Sequence, residues 1–256
     1  MSLIEQESAT ANDLEKLIGG DPSLTLKILR LANSPVYGGK VKVSSIGQAV
    51  VRLGMTQLKN TILLAATGDL FDQSDPYIGS LWEHSIATSM ASRWLATELG
   101  GADPEDAFVA GMLHDIGKIH IYNQRREAYI DLLDTSINTR TRFYVQERET
   151  PGSMSHEMIG LLLARKWGLS KEIVEVIRFH HEIEENPECV SDTRKLVALV
   201  STANIVCNYL EYGPDPIKDY AMRESVPAEI VGLDEDKLEK CREIFPDLVS
   251  GQLAAA

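Results

Sequence analysis

The feature that constrains this chain most is a repeated punctuation. A capping residue, apolar positions spaced three and four apart, and then glycine recur along its length. No stretch alternates apolar and polar residues with the period of two that a half-buried strand requires. Ser44-Ser45 precedes Ile46, Ala49, Val50 and Leu53, and Gly54 follows. Asp21-Pro22 puts an acceptor at the N-cap and proline at the first helical position, Asp103-Pro104 opens a further helix, and a helix from Ile78 follows Asp75-Pro76. Asn12 or Asp13 ahead of Leu14, Leu17 and Ile18, and Thr56 ahead of Leu58, Ile62, Leu63 and Ala66, repeat the theme. The pattern predicts an all-α fold, a helical bundle. The breaks suggest an N-terminal helical subdomain over 1–75 and a helical core over 76–212. A C-terminal appendage over 213–256, rich in Asp, Glu and Pro, carries short helices around Glu229–Leu233 and Leu238–Phe245.

Composition narrows the function classes. The net charge of -13 argues against broad binding to nucleic acid or an anionic membrane, because phosphate contact needs clustered Lys and Arg. No apolar run reaches membrane-spanning length, and no signal-peptide pattern opens the chain, although Met1-Ser2-Leu3 reads as an added leader. Cys189, Cys207 and Cys241 form an odd set without CxxC spacing, which predicts free thiols and a cytoplasmic location. No internal repeat is evident.

The chemistry concentrates at Leu113-His114-Asp115-Ile116-Gly117-Lys118. An imidazole and a carboxylate on consecutive residues at a helix end suit a divalent metal. Gly117 is expected to stop the helix, and Lys118 to offer a mobile cation for a phosphate. The other histidines raise the interest. His84 shares a stripe with Leu81, Ala87, Thr88, Ala91 and Leu95, and His180 follows Val176 and Ile177 by four and three residues. His181 is placed at a rim. His156 opens a helix whose inward stripe is read as Ile159, Leu162, Leu163, Lys166 and Trp167, with its ring at an open helix end. Asn204 lies on the stripe Leu196, Leu199, Val200, Ala203 and Cys207, and so needs a polar partner. His120 lacks a stripe and reads as a bystander, in a loop or short helix that runs to Asn138.

Converged, His84, His114, Asp115, His156, His180, His181 and Asn204 exceed the needs of one tetrahedral ion. They suit one or two divalent ions, with Asp115 as a bridge and Asn204 as a weaker, uncharged ligand. Fe, Mn, Ni, Zn and Mg are equally compatible. Asp115 and Lys118 are the catalytic candidates. A hydrogen-bonded histidine core without metal is the alternative.

Asp21-Pro22-Ser23-Leu24, Lys27–Ser34 and Ser45–Gly54, continued by His114–Lys118 and His180-His181-Glu182, closely resemble the HDOD family of bacterial signalling output domains. The resemblance runs from about Leu14 to Tyr209. It implies an all-helical fold whose second segment is similar to HD phosphohydrolases and to HD-GYP phosphodiesterases. Asn204 falls where the last metal-ligand aspartate of those enzymes would be. Ile183-Glu184-Glu185-Asn186-Pro187 stands where a Gly-Tyr-Pro signature would follow. The expected function is a cytoplasmic signal-transduction module with a His/Asp metal site, acting on a signalling protein or a small phosphorylated ligand. The alternative is a divalent-metal phosphohydrolase or phosphodiesterase acting on a nucleotide or other phosphoester.

Overall fold

The computed structural model describes residues 25, 28–29, 32–33, 42–54, 58, 74–183, 193–214 and 226–253. The helix starts expected at Asn12 or Asp13, Asp21-Pro22 and Thr56, and the thiol Cys189, lie outside these residues. The described residues contain helices and no strand, so the all-α expectation holds. The chain divides into two compact units, Met1–Leu70 with Pro246–Ala256, and Phe71–Phe245.

In the first unit, α1 (Ile46–Leu53) begins as its sequence dictates. Ser45 Oγ accepts the Gln48 amide at 3.2 Å, and the Gln48 side chain reaches back to the Ser44 amide at 2.8 Å. Ile46 and Ala49 point into a small core with Ile28, Ala32, Val43 and Leu58, while Val51 on the opposite face is open to solvent. Asn33 ties this core together by bonding the backbone of Leu29 and both backbone polar groups of Val43.

The second unit holds α2 (Pro76–Leu99), α3 (Pro104–Leu113), α4 (Ile116–Gln124), α5 (Arg126–Thr139), α6 (Phe143–Glu149), α7 (His156–Lys166), α8 (Lys171–Phe179), α9 (Arg194–Tyr209) and α10 (Val226–Val231). The helix α11 (Glu235–Leu253) follows. Asp75 and Asp103 cap α2 and α3, each accepting two backbone amides, ahead of Pro76 and Pro104. Helix α2 is buried nearly all round, with α3 and α9 packed along it. The α2–α3 crossing is close because Gly111 has no side chain: a Cβ there would sit 2.7 Å from Ser92 Oγ and 2.9 Å from the Thr88 carbonyl oxygen. This crossing seats the end of α3, and with it His114 and Asp115, beside His84.

Three local expectations are corrected. Gly117 does not stop a helix. The break falls at His114-Asp115, and Gly117 lies within α4, where a Cβ would meet the His156 carbonyl oxygen at 2.0 Å. Its smallness lets α7 lie against α4. Between Ile116 and Asn138 the chain forms α4 and nearly all of α5, two helices instead of a loop or one short helix. The buried face of α7 is His156, Glu157, Gly160, Leu161 and Ala164, and Leu162 is 51% exposed. The stripe was misread because apolar residues alone were followed, whereas the buried face begins with two polar residues.

Candidate metal centre

Four imidazoles from four places in the second unit surround one carboxylate. His84 comes from the middle of α2, His114 from the end of α3, His156 from the first turn of α7, and His180 from the end of α8. All four rings and Asp115 are buried. The two carboxylate oxygens face different pairs. Oδ2 of Asp115 lies 3.3 Å from His114 Nε2 and 3.6 Å from His84 Nε2. Oδ1 lies 3.3 Å from His156 Nε2 and 3.5 Å from His180 Nε2. His181 belongs to the Oδ1 group, whose donor atoms all lie within 4.8 Å of one another, as do those of His84, His114 and Asp115. Lys118 Nζ sits 2.8 Å from Oδ2.

The outer nitrogen of each ring decides what the inner one presents. Nδ1 of His84 faces the Tyr212 carbonyl at 2.8 Å, and Nδ1 of His114 faces the Gly111 carbonyl at 2.7 Å. Nδ1 of His180 faces the carbonyls of Ile177 and Val176 at 3.1 and 3.2 Å, and Nδ1 of His156 is held by the Glu147 carboxylate. Carbonyls and carboxylates only accept, so each Nδ1 carries a proton, and a ring with no second proton turns an Nε2 lone pair inward. Those lone pairs confront one another at 3.3 Å between His84 and His114 and at 3.4 Å between His156 and His180. Meanwhile Asp115 Oδ1 and His181 Nε2 are buried without a hydrogen-bond partner. Electron-pair donors packed this way repel one another unless protons or a cation lie among them. The donor set therefore fits divalent metal. The outer hydrogen bonds are those that orient metal-binding histidines.

Electrostatics distinguish the rings. Burial, reinforced by the neighbouring imidazole, pushes His84 down to about 3. Burial likewise takes His180 down to about 4, and His181 falls well below the usual histidine range. For His156, burial opposes protonation, but the adjacent Glu147 and Glu157 outweigh it and raise the ring above its ordinary value. Burial also works against the Asp115 carboxylate. His114 and Lys118 overcome it and hold the group well below the usual carboxylate range.

Asn204 is buried, and its Oδ1 accepts a bond from Asn208 at 2.9 Å. It lines a cavity of about 330 Å³ with Arg142, Tyr144, Arg148, His180 and His181. His181 stacks on Tyr144, with ring centroids 4.3 Å apart. His120 is exposed. His156 is fully buried, so its ring does not sit at an open helix end as expected. The residues missed from sequence are Glu147 and Glu157, which flank His156 and are 2% and 0% exposed. Their only signal is nearness in sequence: Glu157 follows His156 in α7, and Glu147 lies nine residues before it in α6.

Comparison with known proteins agrees with this architecture. The family profile of the HDOD domain matches residues 1–183. A crystal structure of an HDOD domain protein of unknown function from Geobacter sulfurreducens superimposes with a TM-score of 0.80 at 27% identity, covering 99% of this chain and 88% of the other. A candidate phosphohydrolase from Shewanella amazonensis gives 0.72 at 25% identity, covering 98% and 90%. Ribonuclease Y of Syntrophotalea carbinolica is 32% identical over 224 residues, which is 77% of this chain and 36% of the relative. An uncharacterized protein of Treponema pallidum is 27% identical over 209 residues, 81% of this chain and 40% of that one. The chain thus spans less than half the length of these two curated relatives.

Proposed function

We propose that this chain, which belongs to the HDOD family, is a bacterial regulatory module that holds divalent metal at a carboxylate-bridged imidazole centre and responds to a signalling partner or a small phosphorylated ligand. The observation that carries the metal reading is the convergence of four inward Nε2 atoms on the two oxygens of Asp115, with Oδ1 lacking a hydrogen-bond partner. His84, His114 and Oδ2 would hold one ion. His156, His180, His181 and Oδ1 would hold the other. No helix among the described residues is long and apolar enough to cross a membrane, which is compatible with a cytoplasmic role.

Phosphoester hydrolysis is the second reading, favoured by Lys118 against Asp115 and by the cavity beside His180 and His181. A bound ion pair of this kind supplies Lewis acidity and an acidified water. In that reading Asp115 holds the two sides in register, Lys118 offers its ammonium to a phosphate oxygen, and Arg142 stands in the cavity wall to receive an anionic substrate. The resemblance to a candidate phosphohydrolase is compatible with it.

One preparation tests both readings. Protein purified without chelator is expected to contain divalent metal by elemental analysis, and Asp115→Ala to lose it, with affinity down roughly a hundredfold or more. Retention of wild-type metal content by Asp115→Ala would defeat the metal centre. Turnover of a generic phosphodiester by the metal-loaded protein, lost in Asp115→Ala, would establish the hydrolase reading. Metal binding without turnover would leave the regulatory one.

A further inference from the structure

The two oxygens of Asp115 are in different situations. Oδ1 has no hydrogen-bond partner and faces His156, His180 and the orphaned Nε2 of His181. Oδ2 faces only two imidazoles, His84 and His114, and already carries the Lys118 ammonium at 2.8 Å. The supports differ as well. His84 and His114 rest on backbone carbonyls, whereas His156 rests on the Glu147 carboxylate with Glu157 next to it. The Oδ1 side therefore offers one more imidazole, an uncompensated anionic oxygen and extra negative charge behind a ligand. The Oδ2 side offers fewer ligands and a resident cation. Lys118 is itself mostly buried, so water screens its charge poorly.

Resting on the metal centre proposed above, we infer that the two sides load unequally. The first divalent ion goes to Oδ1 with His156, His180 and His181. The Lys118 ammonium guards Oδ2, and a second ion enters beside His84 and His114 only when that ammonium moves off. Lys118 is thus a positioning residue that sets metal stoichiometry. Its side chain acts as an internal cation standing in for the second ion.

The test is titration of metal-free protein with Mn2+, followed by native mass spectrometry for stoichiometry and by electron paramagnetic resonance for the magnetic coupling of two ions sharing a carboxylate. Wild type is expected to bind one ion first and a second at least about tenfold more weakly, a conservative figure for a dication approaching a buried ammonium. Lys118→Met keeps the aliphatic length and removes the charge. It is expected to tighten the second event about tenfold and to give the coupled signal at lower Mn2+, with a smaller effect on the first event. Lys118→Gln provides an independent variant, and circular dichroism checks that both are folded. His181→Ala is expected to weaken the first event. Two equal events in wild type, or a second event indifferent to both Lys118 variants, would overturn the order of loading while leaving the metal centre intact. No Mn2+ binding in any of the proteins would overturn both.

Discussion

The two sides of Asp115 use the same side chain, imidazole, and differ in how one ring, His156, is anchored. His84 and His114 on one side, and His180 on the other, give their outer N–H to peptide carbonyls, whereas His156 gives its own to a buried carboxylate. The carbonyl anchor of His114 comes from within its own helix, three residues back. It is built into helix geometry, and no side-chain substitution removes it directly. The carboxylate anchor is a separate residue on another helix and changes the charge of the ring it holds. Basicity differs as well: burial and the neighbouring His114 drive His84 down to about 3, whereas Glu147 and Glu157 outweigh burial and raise His156. One side-chain type thus takes on low or high basicity through what surrounds it.

That contrast can be broken at its hinge. Gly117 lies between Asp115 and the backbone of α7, and a methyl group there has nowhere to go except into the His156 carbonyl. Gly117→Ala is expected to cost about 3–5 kcal/mol by overpacking against backbone, measured by urea denaturation. Any folded fraction should show a damaged Oδ1 side with His84 and His114 still in place. A variant as stable as wild type would mean that α7 does not depend on this close approach.

Glu147→Gln sharpens the contrast by removing charge while keeping shape. With the carboxylate gone, the first-loading ion should bind about 10–100-fold more weakly by calorimetry, the range typical for partners of ligand histidines. The His84 side should be unaffected. Equal weakening on both sides would show that Glu147 acts on the whole fold.

The smallest effect is a pH dependence of opposite sign on the two rings. The folded values of His84 and His180, about 3 and about 4, lie below the ordinary 6.5. Below about pH 6.5 the unfolded chain therefore takes up protons that the folded chain excludes, and their stabilisation is lost as pH falls from there toward 4 and then 3. The raised His156 works the other way: its stabilisation is present below about pH 6.5 and is lost as pH rises through its folded value. Metal-free protein should lose on the order of 1 kcal/mol for each depressed histidine between about pH 6.5 and 5.5. In denaturation curves His84→Gln should flatten this slope and His156→Gln should steepen it.

Much of the fold was legible because its signals are local. The caps Ser45 and Asp103 accept amides only two or three residues ahead, where the sequence suggested, and Asp75 does the same for a helix that begins at Pro76, ahead of the expected Ile78. His84 and His180 were legible for the same reason, since helical spacing from Leu81 and from Val176 and Ile177 carries them to a buried face. Local reading failed where a polar residue belonged to the interior. Glu157 opens the buried face of α7, which displaced the expected stripe onto the exposed Leu162. It failed again at Gly117, since glycine as a helix stop and glycine as a contact point look identical in one dimension.

The sequence by itself determined that the chain is helical, where several of the helices begin, and which histidines and which aspartate turn inward. A period of three to four residues and a cap are properties of neighbouring residues. Tertiary structure alone decided which nitrogen His84 and His156 present, which oxygen of Asp115 each pair faces, and that Glu147 stands behind His156. The anchor of His84 is the carbonyl of Tyr212, 128 residues away in sequence, and such a pairing exists only once the helices have packed.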